Sequence, residues 1–251
     1  MITAFIPARM GSERLEHKNM RRVSGVSLAS LSVIQALELP EFERVVFSTD
    51  SPDYVEVVLR EAKNNNSPTE RLHVHARDPS QAGAQSKIFN VLCSLAEDDF
   101  FDSKFVALML PTAPLRRRST LKRAVDFAKR SNRTSFTACP YDFHVSFAFE
   151  VTDDTDSVSP WQPLLQESPM ITGRTRSQDQ SQLMHPHGGL VVVEVSQLTK
   201  MKTIYDQAVP IVTTRTEGLD IDVGEDLDLV RCLEANLQGT FPFLSEPTPD
   251  S

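Results

Sequence analysis

Short apolar segments alternate with segments of helical periodicity along most of this 251-residue chain. Such alternation is typical of an α/β protein in which a mostly parallel sheet is flanked by helices. The strongest strand candidate is the apolar run at 105–110, because a strand at the centre of such a sheet is buried on both faces. The predicted strands are residues 2–7, 44–50, 72–75, 105–110, 135–139, 189–193 and 211–214, and the main predicted helices are residues 28–37, 86–95, 119–130 and 225–237.

The alternation breaks between residues 140 and 186, where the chain is polar and irregular. A connection of this length is uncommon in a compact domain unless it has a function. We therefore predict one α/β domain formed by residues 1–139 and 187–240. Residues 140–186 would be an inserted segment that reaches over the site or towards a partner subunit. Residues 241–251, rich in proline, serine and acidic side chains, are predicted to form a flexible tail.

Composition excludes several classes of protein. The net charge of −8 argues against a nucleic-acid partner, because such proteins need a basic face. The chain has no run of 18 apolar residues, so no membrane span is expected. The N-terminus lacks the pattern of a secretory signal. Three scattered cysteines fit neither a zinc site nor a set of disulfides, so we expect a cytoplasmic protein with reduced thiols.

The loop after the first predicted strand combines small residues with spaced cations, from Ala8 to Asn19. Gly11 would let the backbone approach an anion closely, and successive backbone N–H groups can surround that anion. Arg9 offers a planar fork of donors, and Lys18 offers a compact positive charge. Neither the ATPase-type phosphate loop nor the dinucleotide fingerprint is present. The segment therefore predicts a nucleotide-phosphate site of another type.

Asp220 and Asp222 lie two residues apart in a segment predicted to be extended. At that spacing both carboxylates face the same side, so together they can bind one hard cation. Mg²⁺ suits a pair of carboxylates completed by phosphate oxygens and waters. The alternative is a solvated acidic turn before the last helix, since Asp226 and Asp228 follow closely.

Four motifs, in this order along the chain, resemble those of the acylneuraminate cytidylyltransferases, also called CMP-sialic acid synthetases. The likeness covers residues 2–236. It implies a Rossmann-like nucleotidyltransferase sheet with an inserted dimerisation arm, and a homodimer. The motifs are Ile6-Pro7-Ala8-Arg9-Met10-Gly11-Ser12 with Lys18-Asn19, Ser48-Thr49-Asp50-Ser51, Leu110-Pro111-Thr112-Ala113-Pro114-Leu115-Arg116, and Asp220-Ile221-Asp222.

The resemblance implies that CMP passes from CTP to the anomeric hydroxyl of a 2-keto sugar acid, with release of pyrophosphate. Arg9 and Lys18 would be catalytic, since displacement at phosphorus depends on positioning and neutralisation of charge. The implied nucleotide-binding residues are Ala8, Arg9, Gly11, Ser12, Lys18, Asn19, Arg77 and Ser86. The implied sugar-binding residues are Arg116, Arg174, Arg176 and His187, and Asp220 with Asp222 would bind Mg²⁺.

Three positions depart from the family pattern. Relatives commonly carry Lys at the position of Glu13, Asp near Ala84, and Gln at Leu110, where it lies near the sugar. Two alternatives follow, a cytidylyltransferase for the eight-carbon acid Kdo or a catalytically inactive homologue that binds nucleotide. The first loop keeps only half of the pattern typical of the Kdo enzymes.

Overall fold

A seven-stranded sheet forms the centre of the computed structural model, which describes residues 1–12, 14–78, 88–151, 160–176, 178 and 181–236. In spatial order its strands are β11, β7, β10, β6, β1, β4 and β5. Their bounds are Ile2–Pro7 (β1), Arg44–Thr49 (β4), Leu72–Ala76 (β5), Phe105–Leu108 (β6), Ser135–Pro140 (β7), Met184–Glu194 (β10) and Val209–Val212 (β11).

The sheet is mostly parallel, as the sequence predicts. Strand β1 pairs in parallel with β4 and β6, β4 pairs in parallel with β5, and β7 pairs in parallel with β11. Within the described part of this sheet, strand β10 is the exception, because it runs antiparallel to both β6 and β7. Its register against β7 shifts between Pro186 and Val191, which places a bulge at residues 187–190.

Helices cover both faces of the sheet. Side chains alternate along β1, so that Ile2, Ala4 and Ile6 join one buried cluster while Phe5 joins another. The first cluster includes residues of α1, α2 and α4, and the second includes residues of α3. The helices are Leu28–Leu37 (α1), Pro52–Asn64 (α2), Ile88–Glu97 (α3), Arg118–Ser131 (α4), Pro169–Thr172 (α5) and Gly224–Asn236 (α6).

A short hairpin joins the first loop to α1. Its strands are Arg22–Val23 (β2) and Val26–Ser27 (β3), and the turn between them contains Ser24 and Gly25, both with positive φ. Ser27 caps α1 by accepting a hydrogen bond from the Ser30 N–H. The buried carboxylate of Glu61 accepts from the Ser27 N–H and hydroxyl at 2.9 Å each, which ties α2 to the hairpin.

The segment between β7 and β10 leaves the sheet and returns to it at one place, because Pro140 pairs with Met184. It contains a small antiparallel pair, Phe149–Val151 (β8) with Trp161–Pro163 (β9), followed by α5. Residues 184–186, assigned to the insertion from sequence, belong to β10 instead. The reason is that their backbone pairs with residues 138–140 of β7.

The order of the strands reverses beside β1. Strands β4 and β5 lie on one side of β1, while β6 and the later strands lie on the other. In open α/β sheets, the crevice at such a switch point, outside the carboxyl ends of the strands, is where ligands bind. No helix of the described residues is long and apolar enough to cross a membrane.

Candidate functional site

A cleft of about 480 Å³ opens at this switch point, between the loops that follow β1 and β6. The last part of its lining comes from the segment before α6. The cleft as a whole brings together seven of the predicted site residues, namely Arg9, Ser12, Lys18, Asn19, Arg77, Asp220 and Asp222. Further lining residues are Pro7, Arg14, Leu15, Ile88, Leu110, Pro111 and Thr112.

Three hydrogen bonds hold the first loop in place over the end of β1. As a result, its cationic side chains project from a backbone that is fixed by the strands below. The Ala8 N–H is already bonded to the Ser48 carbonyl, so this group is not available to a nucleotide. The bonds run from the Ala8 N–H to the Ser48 carbonyl (2.8 Å), from the Met10 N–H to Asp50 Oδ1 (2.9 Å) and from Asn19 Nδ2 to the Arg9 carbonyl (2.9 Å).

The protein around Gly11 does not require a glycine at this position of the loop. Its φ lies outside the left-handed region, and a Cβ built on it would have no heavy atom of the described structure within 4 Å. Neither backbone conformation nor packing therefore explains a glycine here. Gly11 is exposed, and its lack of a side chain leaves the backbone open to close approach by an external group.

Arg77 reaches the cleft from the end of β5, although only 7% of it is exposed. Its guanidinium donates to the Ser48 carbonyl and hydroxyl at 3.2–3.3 Å. Burial lowers the pKa of Arg77, and the positive charge of Arg9 adds to that effect while Asp50 opposes it. Arg77 thus contributes a fixed positive charge to the cleft wall.

The two carboxylates of the pair have opposite environments. Surrounding protein atoms remove water from the Asp220 carboxyl and raise its pKa, and the neighbouring Asp222 charge acts in the same direction. A hydrogen bond from Thr112 and the charge of Lys18 oppose that shift. Thr112 is a member of the site that sequence reasoning did not single out, although its position at the end of β6 was available as a signal.

Asp222 is paired with cations of the first loop. Lys18 Nζ lies 2.9 Å from its Oδ1, and Arg14 Nη2 lies 2.8 Å from its Oδ2. Partial burial opposes ionisation, but the Lys18 hydrogen bond and the charges of Lys18 and Arg14 prevail and lower the pKa of Asp222. Lys18, predicted from sequence to contact phosphate, therefore also contacts a predicted metal ligand.

Asp220 and Asp222 are a donor set that a hard divalent cation could use. Both are carboxylates, both line the cleft, and Ile221 between them is buried and fixed by a hydrogen bond from its N–H to the Thr112 carbonyl (2.8 Å). Within the described residues, no group of three or more His, Cys, Asp or Glu side chains surrounds a common point. A pair of carboxylates suits the chemistry of Mg²⁺, which takes one or two carboxylates and completes its shell with phosphates and waters.

Arg116, predicted to bind the sugar, lies inside the protein with 2% exposure. Its guanidinium donates to the Gly189 carbonyl (2.6 Å), to Gln35 Oε1 (2.9 Å) and to the Leu110 carbonyl. This position does not fit direct contact with a substrate. The side chain instead fastens the loop after β6 to the bulge of β10, because buried carbonyl groups need donors.

His187, also predicted to line the sugar site, is a buried residue of the bulge in β10. Its Nδ1 accepts from the Gly189 N–H (3.2 Å), so Nε2 carries the proton that is donated to Thr213 Oγ1 (3.0 Å). Burial, the Arg116 charge and His185 lower the pKa of His187 to about 4. It is a neutral structural histidine at pH 7.

The remaining predicted residues lie apart from this lining. Arg174 and Arg176 are exposed residues at the end of the inserted segment, and neither is among the residues that line the cleft. Ser86, together with the departures Glu13 and Ala84, lies outside the described residues. Leu110, the third departure, is described and faces the cleft.

The neutral state of His187 predicts a loss of stability in mild acid. Its pKa is lower in the folded protein than in the unfolded chain, so the unfolded chain binds the extra proton as the pH falls below 6.5. The free energy of unfolding should fall by about 3 kcal/mol between pH 6.5 and pH 4 from this group. Urea unfolding of the wild type and of His187→Asn checks this. A dependence on pH that is equal in both would contradict it, and His73→Asn, at an exposed histidine, is the control.

Comparison with known proteins places these residues in a sequence family. Residues 3–142 match the family model described as cytidylyltransferase. The chain is 26% identical over 235 residues to CMP-N,N'-diacetyllegionaminic acid synthase of Legionella pneumophila, covering 92% of this chain and 95% of that protein. It is 25% identical to a pseudaminic acid cytidylyltransferase of Campylobacter jejuni, covering 91% of this chain and 94% of the relative.

Two solved structures share the fold. One is CMP:2-keto-3-deoxy-manno-octonic acid synthetase complexed with CTP, with a TM-score of 0.60, 14% identity and coverage of 94% of this chain and 98% of that chain. The other is 4-diphosphocytidyl-2C-methyl-D-erythritol synthase, with a TM-score of 0.60, 11% identity and coverage of 92% and 97%. The family model spans more than half of the chain and includes the first loop and the end of β6, so this protein belongs to the cytidylyltransferase family.

Proposed function

We propose that this protein transfers CMP from CTP to the anomeric hydroxyl of a nine-carbon 2-keto sugar acid and releases pyrophosphate. The observation that carries the proposal is the arrangement of the cleft, where the cations Arg9 and Lys18 face the carboxylates Asp220 and Asp222. Relatives named for legionaminic, pseudaminic and N-acylneuraminic acids support this class of acceptor. The likeness to the Kdo synthetase is one of fold, at 14% identity.

The triphosphate would lie along the first loop. Arg9 and Lys18 would neutralise the β- and γ-phosphates and stabilise the charge that develops on the departing pyrophosphate. Ser12 would add a hydrogen bond, and Gly11 would let the backbone N–H groups approach the phosphates. Asn19 would act indirectly, because its side chain fixes the Arg9 carbonyl and hence the course of the loop.

Before the nucleotide enters, Asp222 forms ion pairs with two cations of the cleft. Lys18 and Arg14 are then neutralised by a carboxylate, and a triphosphate would compete for the same cations. As the phosphates take over these cations, the Asp222 carboxylate would become available to another partner. The exposed Arg14 contact contributes little stability, since surface ion pairs are worth about 0–1 kcal/mol.

Asp220 and Asp222 would hold Mg²⁺. When bound, the ion would supply neutralisation of phosphate charge and acidification of the attacking hydroxyl. The protein's own part is to hold both carboxylates at the cleft, where the N–H of the buried Ile221 between them donates to the Thr112 carbonyl (2.8 Å).

We further propose a homodimer in the cytoplasm. The inserted segment exposes large apolar side chains, including Phe143 at 71%, Ile171 at 60% and Leu164 at 55%. Apolar side chains exposed in such number along one segment are expected where it contacts another protein. Arg174 and Arg176, on the same segment, would then bind the sugar carboxylate of the neighbouring subunit. The three free cysteines suit a reducing compartment.

Turnover is the direct test of the reaction. The protein, CTP and Mg²⁺ should release pyrophosphate with at least one of N,N'-diacetyllegionaminic, pseudaminic and N-acetylneuraminic acids, and ATP, GTP and UTP should be poor substitutes. Binding of CTP without pyrophosphate release with any of these acids or with Kdo would support the inactive-homologue alternative. Release with Kdo alone would support the eight-carbon alternative.

Replacement of one carboxylate tests the metal pair. Asp222→Asn should lower kcat about 100-fold or more, as the loss of a group that stabilises developing charge does. The melting temperature should change little, because the Asp222 side chain is 40% exposed. Asp228→Asn, which removes a 76% exposed carboxylate from α6, should leave kcat unchanged. Equal turnover in Asp222→Asn and the wild type would contradict the assignment.

The molar mass in solution tests the dimer. Light scattering should give twice the 28.1 kDa of one chain. The double variant Ile171→Glu and Leu164→Glu should give the single-chain mass, because forming the dimer would remove two new charges from water. Leu229→Glu, at a 49% exposed position of α6, is the matched control and should remain a dimer. A wild-type protein of single-chain mass would refute the proposal.

A further inference from the structure

The wall of the cleft on the β6 side differs in chemistry from the rest of its lining. The loop after β1 supplies the cations Arg9, Arg14 and Lys18 together with Leu15, and the segment before α6 supplies carboxylates. The loop after β6 contributes Leu110 and Pro111, and α3 contributes Ile88. Leu110 and Ile88 both line the cleft and both pack against the same apolar cluster. We call Leu110, Ile88 and Pro111 the aliphatic wall.

The backbone of Leu110 is fixed at both of its polar groups. Its N–H donates to the Gly188 carbonyl at 3.1 Å, and its carbonyl accepts from Arg116. The Leu110 side chain also lies directly over Gly188, where a Cβ would come within 2.9 Å of Leu110 Cδ1. The Leu110 side chain therefore packs against β10 while it lines the cleft.

The position of the aliphatic wall relates it to the acceptor and not to the triphosphate. The Thr112 carbonyl, two residues after Leu110, accepts a hydrogen bond from the N–H of Ile221, which lies between the two carboxylates (2.8 Å). The Ala113 N–H donates to the Leu110 carbonyl (3.2 Å), so this loop is a turn. Two residues span at most about 7 Å even when extended, which is the length of a few carbon–carbon bonds of a sugar acid. An acid that reacts next to the carboxylate pair would thus bring a substituent several bonds away against Leu110.

We propose that the aliphatic wall binds a methyl group of the acid substrate and selects against acids that carry a hydroxyl there. This inference rests on the proposed function and specifies the acceptor within it. A hydroxyl held against the wall would lose its hydrogen bonds to water without a replacement, while a methyl group would gain apolar contact. An apolar pocket rejects such an added hydroxyl by about 10- to 100-fold.

Methyl groups occur at two kinds of position on acids of this class, the end of the side chain and the N-acyl groups, and matched substrates distinguish them. The first pair compares the accepted acid with a methyl or a hydroxymethyl end to its side chain. The second pair compares its N-acetyl form with its N-glycolyl form, in which the acyl methyl carries a hydroxyl. For each pair the ratio of kcat/KM measures selectivity. The proposal expects a ratio of about 10 to 100 in one pair at least.

Variants then assign that selectivity to the aliphatic wall. Leu110→Gln should reduce the ratio to within about 3-fold of unity, chiefly through faster turnover of the hydroxylated acid, because the amide can bond the hydroxyl. Leu110→Met keeps an apolar side chain and should keep the ratio. Leu229→Gln, at an exposed leucine of α6, should change neither ratio.

The possible results test the proposed function and the role of the aliphatic wall separately. No pyrophosphate release with any acid would refute the proposed function. Turnover with a ratio near unity in both pairs, or a ratio that Leu110→Gln leaves unchanged, would refute the aliphatic wall as the determinant and leave the proposed function intact. A changed ratio with an unchanged KM for CTP would show that the effect concerns the acid and not the nucleotide.

Discussion

The cleft depends on the buried guanidinium of Arg116. This one cation bonds the loop after β6 through the Leu110 carbonyl, the bulge of β10 through the Gly189 carbonyl, and α1 through Gln35. A buried charge is costly unless its hydrogen bonds are satisfied, so these carbonyls must stay where they are. The loop that carries Leu110, Pro111 and Thr112 is thereby fixed relative to the sheet.

Much of the scaffold could be predicted from the sequence because it follows from local patterns. The apolar runs at 2–7 and 105–110 contain β1 and β6, and Ser27 does cap α1. The antiparallel direction of β10 was not predicted, because strand direction depends on how distant segments return to the sheet. The same holds for residues 184–186, whose pairing with β7 bridges more than forty residues of chain.

The candidate site, too, could be predicted only in part from the sequence. The phosphate loop and the carboxylate pair are short motifs with clear chemistry, and the fold brings Arg9, Lys18, Asp220 and Asp222 to one cleft. Arg116 and His187 could not be judged in this way, since a sequence does not say whether an arginine or histidine is buried. Their partners, Gly189 for the arginine and Thr213 for the histidine, lie 73 and 26 residues away along the chain.

The single crossing at Pro140 and Met184 has a consequence for how such a protein can diversify. Because the inserted segment leaves and re-enters the sheet between two paired strands, its ends stay together whatever lies between them. The free-energy cost of closing such a loop changes only slowly with its length, by about 0.6 kcal/mol for each doubling of the number of residues. The segment can therefore lengthen, shorten or change its surface during evolution while the strands that carry the cleft keep their register.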